Sequence, residues 1–92
     1  MPRFVVAYDI SSDRQRQKVS NLLAAVLRRV QLSVFEGDAK RAEVEAVVRQ
    51  ALALIDPETD SLRVYRVCAA CVRKIDVYGK TPKVEPQPVI IL

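Results

Sequence analysis

The chain has 92 residues, half of them hydrophobic, with 15 Lys and Arg against 11 Asp and Glu and no histidine. That length makes one domain with a modest core, for which burial against a partner is a natural supplement. Its apolar runs are only a few residues long, far short of the roughly 20 that a bilayer span needs, so a membrane-spanning protein is excluded.

Met1-Pro2-Arg3 leads directly into an apolar stretch with no signal-peptide pattern, and a cytoplasmic location is expected. Phe4-Val5-Val6-Ala7-Tyr8 reads as a strand that ends at Asp9-Ile10. Phe4, Val6 and Tyr8 point one way and Val5, Ala7 and Asp9 the other, so both faces of the strand need cover. Ser12 and Gln15 match a capping box, with Asp13 in the first turn. Val19, Leu22, Leu23, Val26 and Leu27 then recur at helical spacing, predicting a helix over residues 13–28.

Residues 30–36 alternate and predict a second strand, with Val30, Leu32 and Val34 inward and Gln31, Ser33 and Phe35 outward. Gly37-Asp38 reads as a break. Val44, Val47, Val48, Ala51, Leu52 and Ile55 form the stripe of a second amphipathic helix, stopped by Asp56-Pro57. Residues 62–68 and 72–78 read as two further strands joined by a short Ala-rich turn. The domain thus spans residues 1–78, and residues 79–92 form a Pro-rich tail ending in Val89-Ile90-Ile91-Leu92. Residues 88–92 suit an additional C-terminal strand, returning to its own sheet or added to a neighbour's edge. The first strand's second apolar face and an outward Phe35 point to a two-fold dimer packed sheet against sheet.

This composition of elements fits an α+β, ferredoxin-like sandwich with two helices on one face of a four-stranded sheet. Read strictly, the segments run β-α-β-α-β-β. The ferredoxin-like order βαββαβ needs a hairpin before the second helix instead.

Asp9 is the candidate reactive group: a carboxylate where a buried strand runs out, beside cations. Residues 14–35 hold Arg14, Arg16, Lys18, Arg28 and Arg29 and no acid, the pattern of a polyanion-binding surface or of a solvated helix face. Cys68 and Cys71 make a single CxxC, too few ligands for a closed zinc cage in one chain. They read as small, half-buried residues at a strand end, and two copies meeting at a dimer axis could hold zinc or form disulfides. A heavy-metal chaperone of the same fold would carry its cysteines after the first strand, where this chain has Ser11-Ser12-Asp13.

Tyr8-Asp9-Ile10, the Asp13-Arg14-x-Arg16-x-Lys18 helix start, Arg29-Val30-Gln31-x-Ser33-Val34-Phe35-Glu36 and Asp60-Ser61-Leu62-Arg63-Val64-Tyr65 resemble, in order, the CRISPR-associated protein two family, the small spacer-acquisition subunits of CRISPR systems. The resemblance runs through the whole chain. It implies a βαββαβ homodimer that joins the acquisition integrase and helps hold the DNA to be inserted. Some family members cleave RNA or double-stranded DNA with a metal, and others serve only as scaffold.

By position, the family's metal-site aspartate falls on Asp9 and its basic residues on Arg16, Lys18 and Arg29, with Ser33 and Phe35 in the following motif. Lys18 departs from the arginine common there, which keeps a point charge for phosphate but loses bidentate recognition. One carboxylate per chain is too few for Mg2+, which demands near-octahedral oxygen ligation. Two Asp9 side chains converging on a dimer axis could share one ion with water and phosphate oxygens. The remaining readings are an Asp9 that only caps the helix or its turn, a scaffold without catalysis, and an interferase-like RNA-cleaving toxin of the same fold.

Overall fold

The computed structural model of the chain describes residues 1–80 and 82–85. The elements run β1 (Arg3–Asp9), α1 (Asp13–Ala24), β2 (Arg28–Gln31), β3 (Val34–Asp38), α2 (Arg41–Leu52), β4 (Ser61–Val67) and a short α3 (Ala69–Val72). The four strands form one antiparallel sheet in the order β2-β3-β1-β4. This is the ferredoxin-like βαββαβ arrangement, with α1 and α2 packed together on one face. The expected C-terminal strand at residues 88–92 lies outside the described residues.

The missing hairpin is inside the expected second strand. Leu32 and Ser33 turn the chain, so that Arg28, Arg29 and Gln31 lie opposite Glu36, Phe35 and Val34. Neither turn residue is Gly, Pro, Asn or Asp, and a register shift between Arg29 and Gln31 takes up the geometry. The turn also reverses the predicted phase. Phe35 is 1% exposed in the helix-side core, and Leu32, expected inward, is 79% exposed. Gly37 lies within β3 instead of breaking the chain. A Cβ there would come within 3.4 Å of Leu27 Cδ2, so the position is closely packed.

The first helix stops at Ala24, four residues earlier than its apolar spacing predicts, because Arg28–Gln31 must be extended to pair with β3. Main-chain bonds from Ala25 to Leu22 and from Val26 and Leu27 to Leu23 finish its last turn. Residues 72–78 do not form the expected strand. Ala69 and Ala70 are good helix formers and begin α3, after which residues 75–78, Pro82 and Val84 line a pocket with Val30, Val34 and Glu36 on the β2–β3 side.

Phe4, Val6 and Tyr8 of β1, Phe35 of β3, Val19 and Leu23 of α1, and Val44, Val47 and Ala51 of α2 form the core between sheet and helices. On the opposite, open face of the sheet, strand alternation places Arg3, Val5, Ala7 and Asp9. Arg3 is 2% exposed, and its guanidinium donates to Glu36 and Asp38 of β3, each at 2.7 Å, and to the Val84 carbonyl at 3.2 Å. Burial opposes its charge, but the hydrogen bonds to Asp38 and Glu36 outweigh burial and hold its pKa raised.

Removing Arg3 takes the guanidinium away from two largely buried carboxylates. Arg3→Met is therefore expected to lower unfolding stability by about 3 kcal/mol or more in urea titration. A loss of a few tenths of a kcal/mol would mean the triad contributes no more than an exposed surface pair.

Candidate nucleic-acid and metal site

Asp9 is the last residue of β1 and lies opposite Ser61, the first residue of β4. It is exposed, and among the described residues no ion pair or hydrogen bond engages its side chain. The α1 cap is made instead by Ser12, whose hydroxyl accepts from the Gln15 N–H at 3.3 Å. The alternative in which Asp9 caps this helix is therefore overturned. Its carboxylate projects from the end of the open face with its lone pairs available.

The two residues after Asp9 are held from both sides. Arg16 donates to the Ile10 carbonyl at 2.9 Å and also binds Asp13. The Asp60 carboxylate accepts from the Ser11 N–H at 3.0 Å, the Asp56 N–H at 2.9 Å and the Thr59 hydroxyl at 3.1 Å. The Ser11 and Asp56 amides, in that order, hold the Asp60 pKa below the usual Asp value. Asp60 figured in the sequence only as part of a motif, because a hydrogen bond spanning 49 positions leaves no local pattern.

The five-cation block does not form one surface. Arg14 and Lys18 stand exposed on α1, four residues apart on one face. Arg28 is exposed on the edge strand β2. Arg16 is turned toward its own loop, and Arg29 lies 5.4 Å over the Phe35 ring and binds the Ser20 hydroxyl. Phe35, expected on the association face, is the ring against which Arg29 packs from the helix side. Ser33 sits in the hairpin turn, and its carbonyl accepts from the Tyr8 N–H at 3.1 Å.

Alternation signalled one basic residue that the sequence reading did not single out. Arg63 stands opposite Ala7 on the open face, two pairs along the ladder from Asp9, and donates to the Tyr65 hydroxyl at 3.3 Å.

Cys68 and Cys71 are both exposed rather than half-buried, with Cys68 at the start of α3. Bonds from the Cys71 N–H and thiol lower the Cys68 pKa, and the same thiol contact raises that of Cys71.

Among the described residues no three His, Cys, Asp or Glu side chains converge as a metal cluster, and no helix is long and apolar enough to cross a membrane. One chain thus supplies Asp9 as a single hard-oxygen donor, with the Ser61 position opposite. A carboxylate oxygen is a donor of the type that suits Mg2+ or Mn2+ rather than a soft metal, and one such donor is too few to hold either ion alone.

The chain thus belongs to the class of small ferredoxin-like α+β domains, with a lone, exposed aspartate at the end of its first strand and cations on the following helix. Residues 1–75 match the family model for the CRISPR-associated protein Cas2, and the chain belongs to that family. It is 33% identical to a CRISPR-associated endoribonuclease Cas2 of Synechocystis sp., covering 97% of each chain. It is 39% identical to a CRISPR-associated endonuclease Cas2 of Thermus thermophilus over 97% of this chain and 94% of the relative. Cas2 of Streptococcus pyogenes has a similar solved structure, with a TM-score of 0.73 and 28% identity over 84% of this chain and 99% of that one. A chain of a partial Cas6-RT-Cas1–Cas2 complex superposes with a TM-score of 0.67 at 26% identity, over 84% of this chain and 90% of that one.

Because its folded-state pKa is depressed, Asp60 contributes stability that is present above the unfolded Asp pKa and lost as pH falls through the lower folded value. The expected outcome is a thermal midpoint that declines below about pH 4 in the parent and declines less steeply in Asp60→Asn, followed by scanning calorimetry across acid pH. Parallel acid profiles would show that Asp60 is not tied to these amides.

Proposed function

We propose that the chain acts as a homodimeric nucleic-acid-binding subunit of a CRISPR spacer-acquisition integrase, and that paired Asp9 side chains form a divalent-metal site for phosphodiester cleavage. The observation that carries the reading is the exposed, unengaged Asp9 on the open sheet face of a Cas2-family chain. The Cas1–Cas2 assembly among the structural neighbours supports the integrase as partner. Packing two open faces together would bring the β1 ends of both protomers toward one axis and bury the half-exposed Tyr65 and partly covered Val5 and Ala7.

Each residue then has a role that follows from its position. Asp9 of each protomer would hold Mg2+, which when bound supplies Lewis-acid polarisation of a phosphate oxygen and lowers the pKa of water. Arg14 and Lys18 would fix the phosphate backbone by charge without reading sequence. Arg28 and Arg63, on other parts of the sheet, would extend that contact. Arg16 and Arg29 would serve the binding surface through the loop and the β2–β3 hairpin they hold.

Two measurements test the separate halves. Asp9→Asn is expected to abolish Mg2+-dependent cleavage of end-labelled RNA or duplex DNA while the dimer persists in size-exclusion chromatography with light scattering; undiminished cleavage would remove Asp9 from the chemistry. The double reversal Arg14→Glu and Lys18→Glu is expected to weaken duplex binding at every sequence tested. It should also reduce the slope of log K against log salt by about 0.9 for each lost phosphate contact. An unchanged slope would place the nucleic acid on another surface.

A further inference from the structure

We propose that Asp60 is the positioning residue for Asp9, holding the end of β1 so that the Asp9 carboxylate leaves the sheet in one direction. This rests on the reading of Asp9 as the metal-binding group. The support begins with the sheet register. On the β3 side, paired residues end at Ala7 and Val34, with one more main-chain bond from Tyr8 to Ser33. On the β4 side pairing continues to Asp9 and Ser61, its last position. Asp9 is therefore supported by the sheet on one side only, at the point where the ladder ends.

The fixing interaction lies immediately beyond it. Asp60 precedes Ser61, and one of its oxygens accepts from the Ser11 N–H at 3.0 Å, joining the loop after Asp9 to the start of β4. Its other oxygen accepts from the Asp56 N–H at 2.9 Å, and the Thr59 hydroxyl adds a 3.1 Å contact. The carboxylate is thus oriented by its own loop before it reaches Ser11. Arg16 holds the neighbouring Ile10 carbonyl at 2.9 Å from the other direction. Two charged side chains, Arg16 of α1 and Asp60 of the loop before β4, thus hold the two ends of one peptide group, that between Ile10 and Ser11, one residue beyond Asp9. A ligand that must meet its counterpart from a second protomer tolerates little angular freedom, and partners that orient a ligand commonly change metal affinity tenfold to a hundredfold.

A carboxylate is the group this geometry calls for, because each oxygen receives a different main-chain N–H. Asparagine keeps one acceptor oxygen, and alanine keeps none. The two substitutions therefore grade the interaction, whereas a purely electrostatic role for Asp60 would make them equivalent, both being uncharged.

The test uses the full-length protein as it assembles. Parent, Asp60→Ala, Asp60→Asn and Asp9→Asn are compared for Mn2+ dissociation constant, read from the electron paramagnetic resonance of free Mn2+, and for Ser11 amide hydrogen exchange by NMR. Asp60→Ala is expected to weaken Mn2+ binding about tenfold or more and to speed Ser11 exchange, with Asp60→Asn intermediate in both. Parent-like Mn2+ affinity in both Asp60 variants, with binding lost in Asp9→Asn, overturns the positioning role and leaves Asp9 as the metal group. Equal losses of affinity in the two Asp60 variants, with Ser11 still protected in Asp60→Asn, also overturn it. Unchanged Mn2+ binding in Asp9→Asn overturns the underlying reading of Asp9 and the proposal with it.

Discussion

Strand β1 runs through the middle of the sheet, and its two-residue period governs everything around it. Phe4, Val6 and Tyr8 must face the helices to build the core, which commits Arg3, Val5, Ala7 and Asp9 to the opposite face. A slip of one residue would expose three core side chains and bury a carboxylate at the same time. The ion pairs of Arg3 with Glu36 and Asp38 reinforce this register at one end of the strand, and the Asp60 bond to Ser11 does so at the other. Asp9 is thus placed by packing that has no chemical role of its own.

The α+β class, both long helices and the strand carrying Asp9 were legible because each has a periodic apolar pattern long enough to stand out. The β2–β3 hairpin was not. Leu32-Ser33 lacks the residues that mark turns, and the alternation of residues 30–36 continues across it as if no reversal occurred. Only pairing with β1 makes the break necessary, since Val5 to Ala7 lie opposite Val34 to Glu36. Phe35 falls on the helix side, opposite to the face its alternation predicts, for the same reason. The expected strand at 72–78 failed differently, since local alternation there has no pairing partner among the described residues.

The basic block shows what charge counting resolves and what it does not. Five cations stand together in the sequence without an acid, but the fold assigns them unlike work. Arg14, Lys18 and Arg28 stand exposed, while Arg16 and the also exposed Arg29 are engaged with a carbonyl, a hydroxyl and an aromatic ring. Arginine suits position 29 because its planar, multi-donor head can lie over a ring and bond a hydroxyl at once, a combination a lysine there would lose. The family relationship supplies the class of protein, and the geometry shows that the Asp9 carboxylate is not consumed as a helix cap.

The central claim is that each chain holds half of a metal site. Mn2+ stoichiometry, measured by isothermal titration calorimetry against chain concentration, tests it most directly. One ion per two chains, lost in Asp9→Asn, is the predicted result. One ion for every chain, or a stoichiometry indifferent to Asp9, would contradict it.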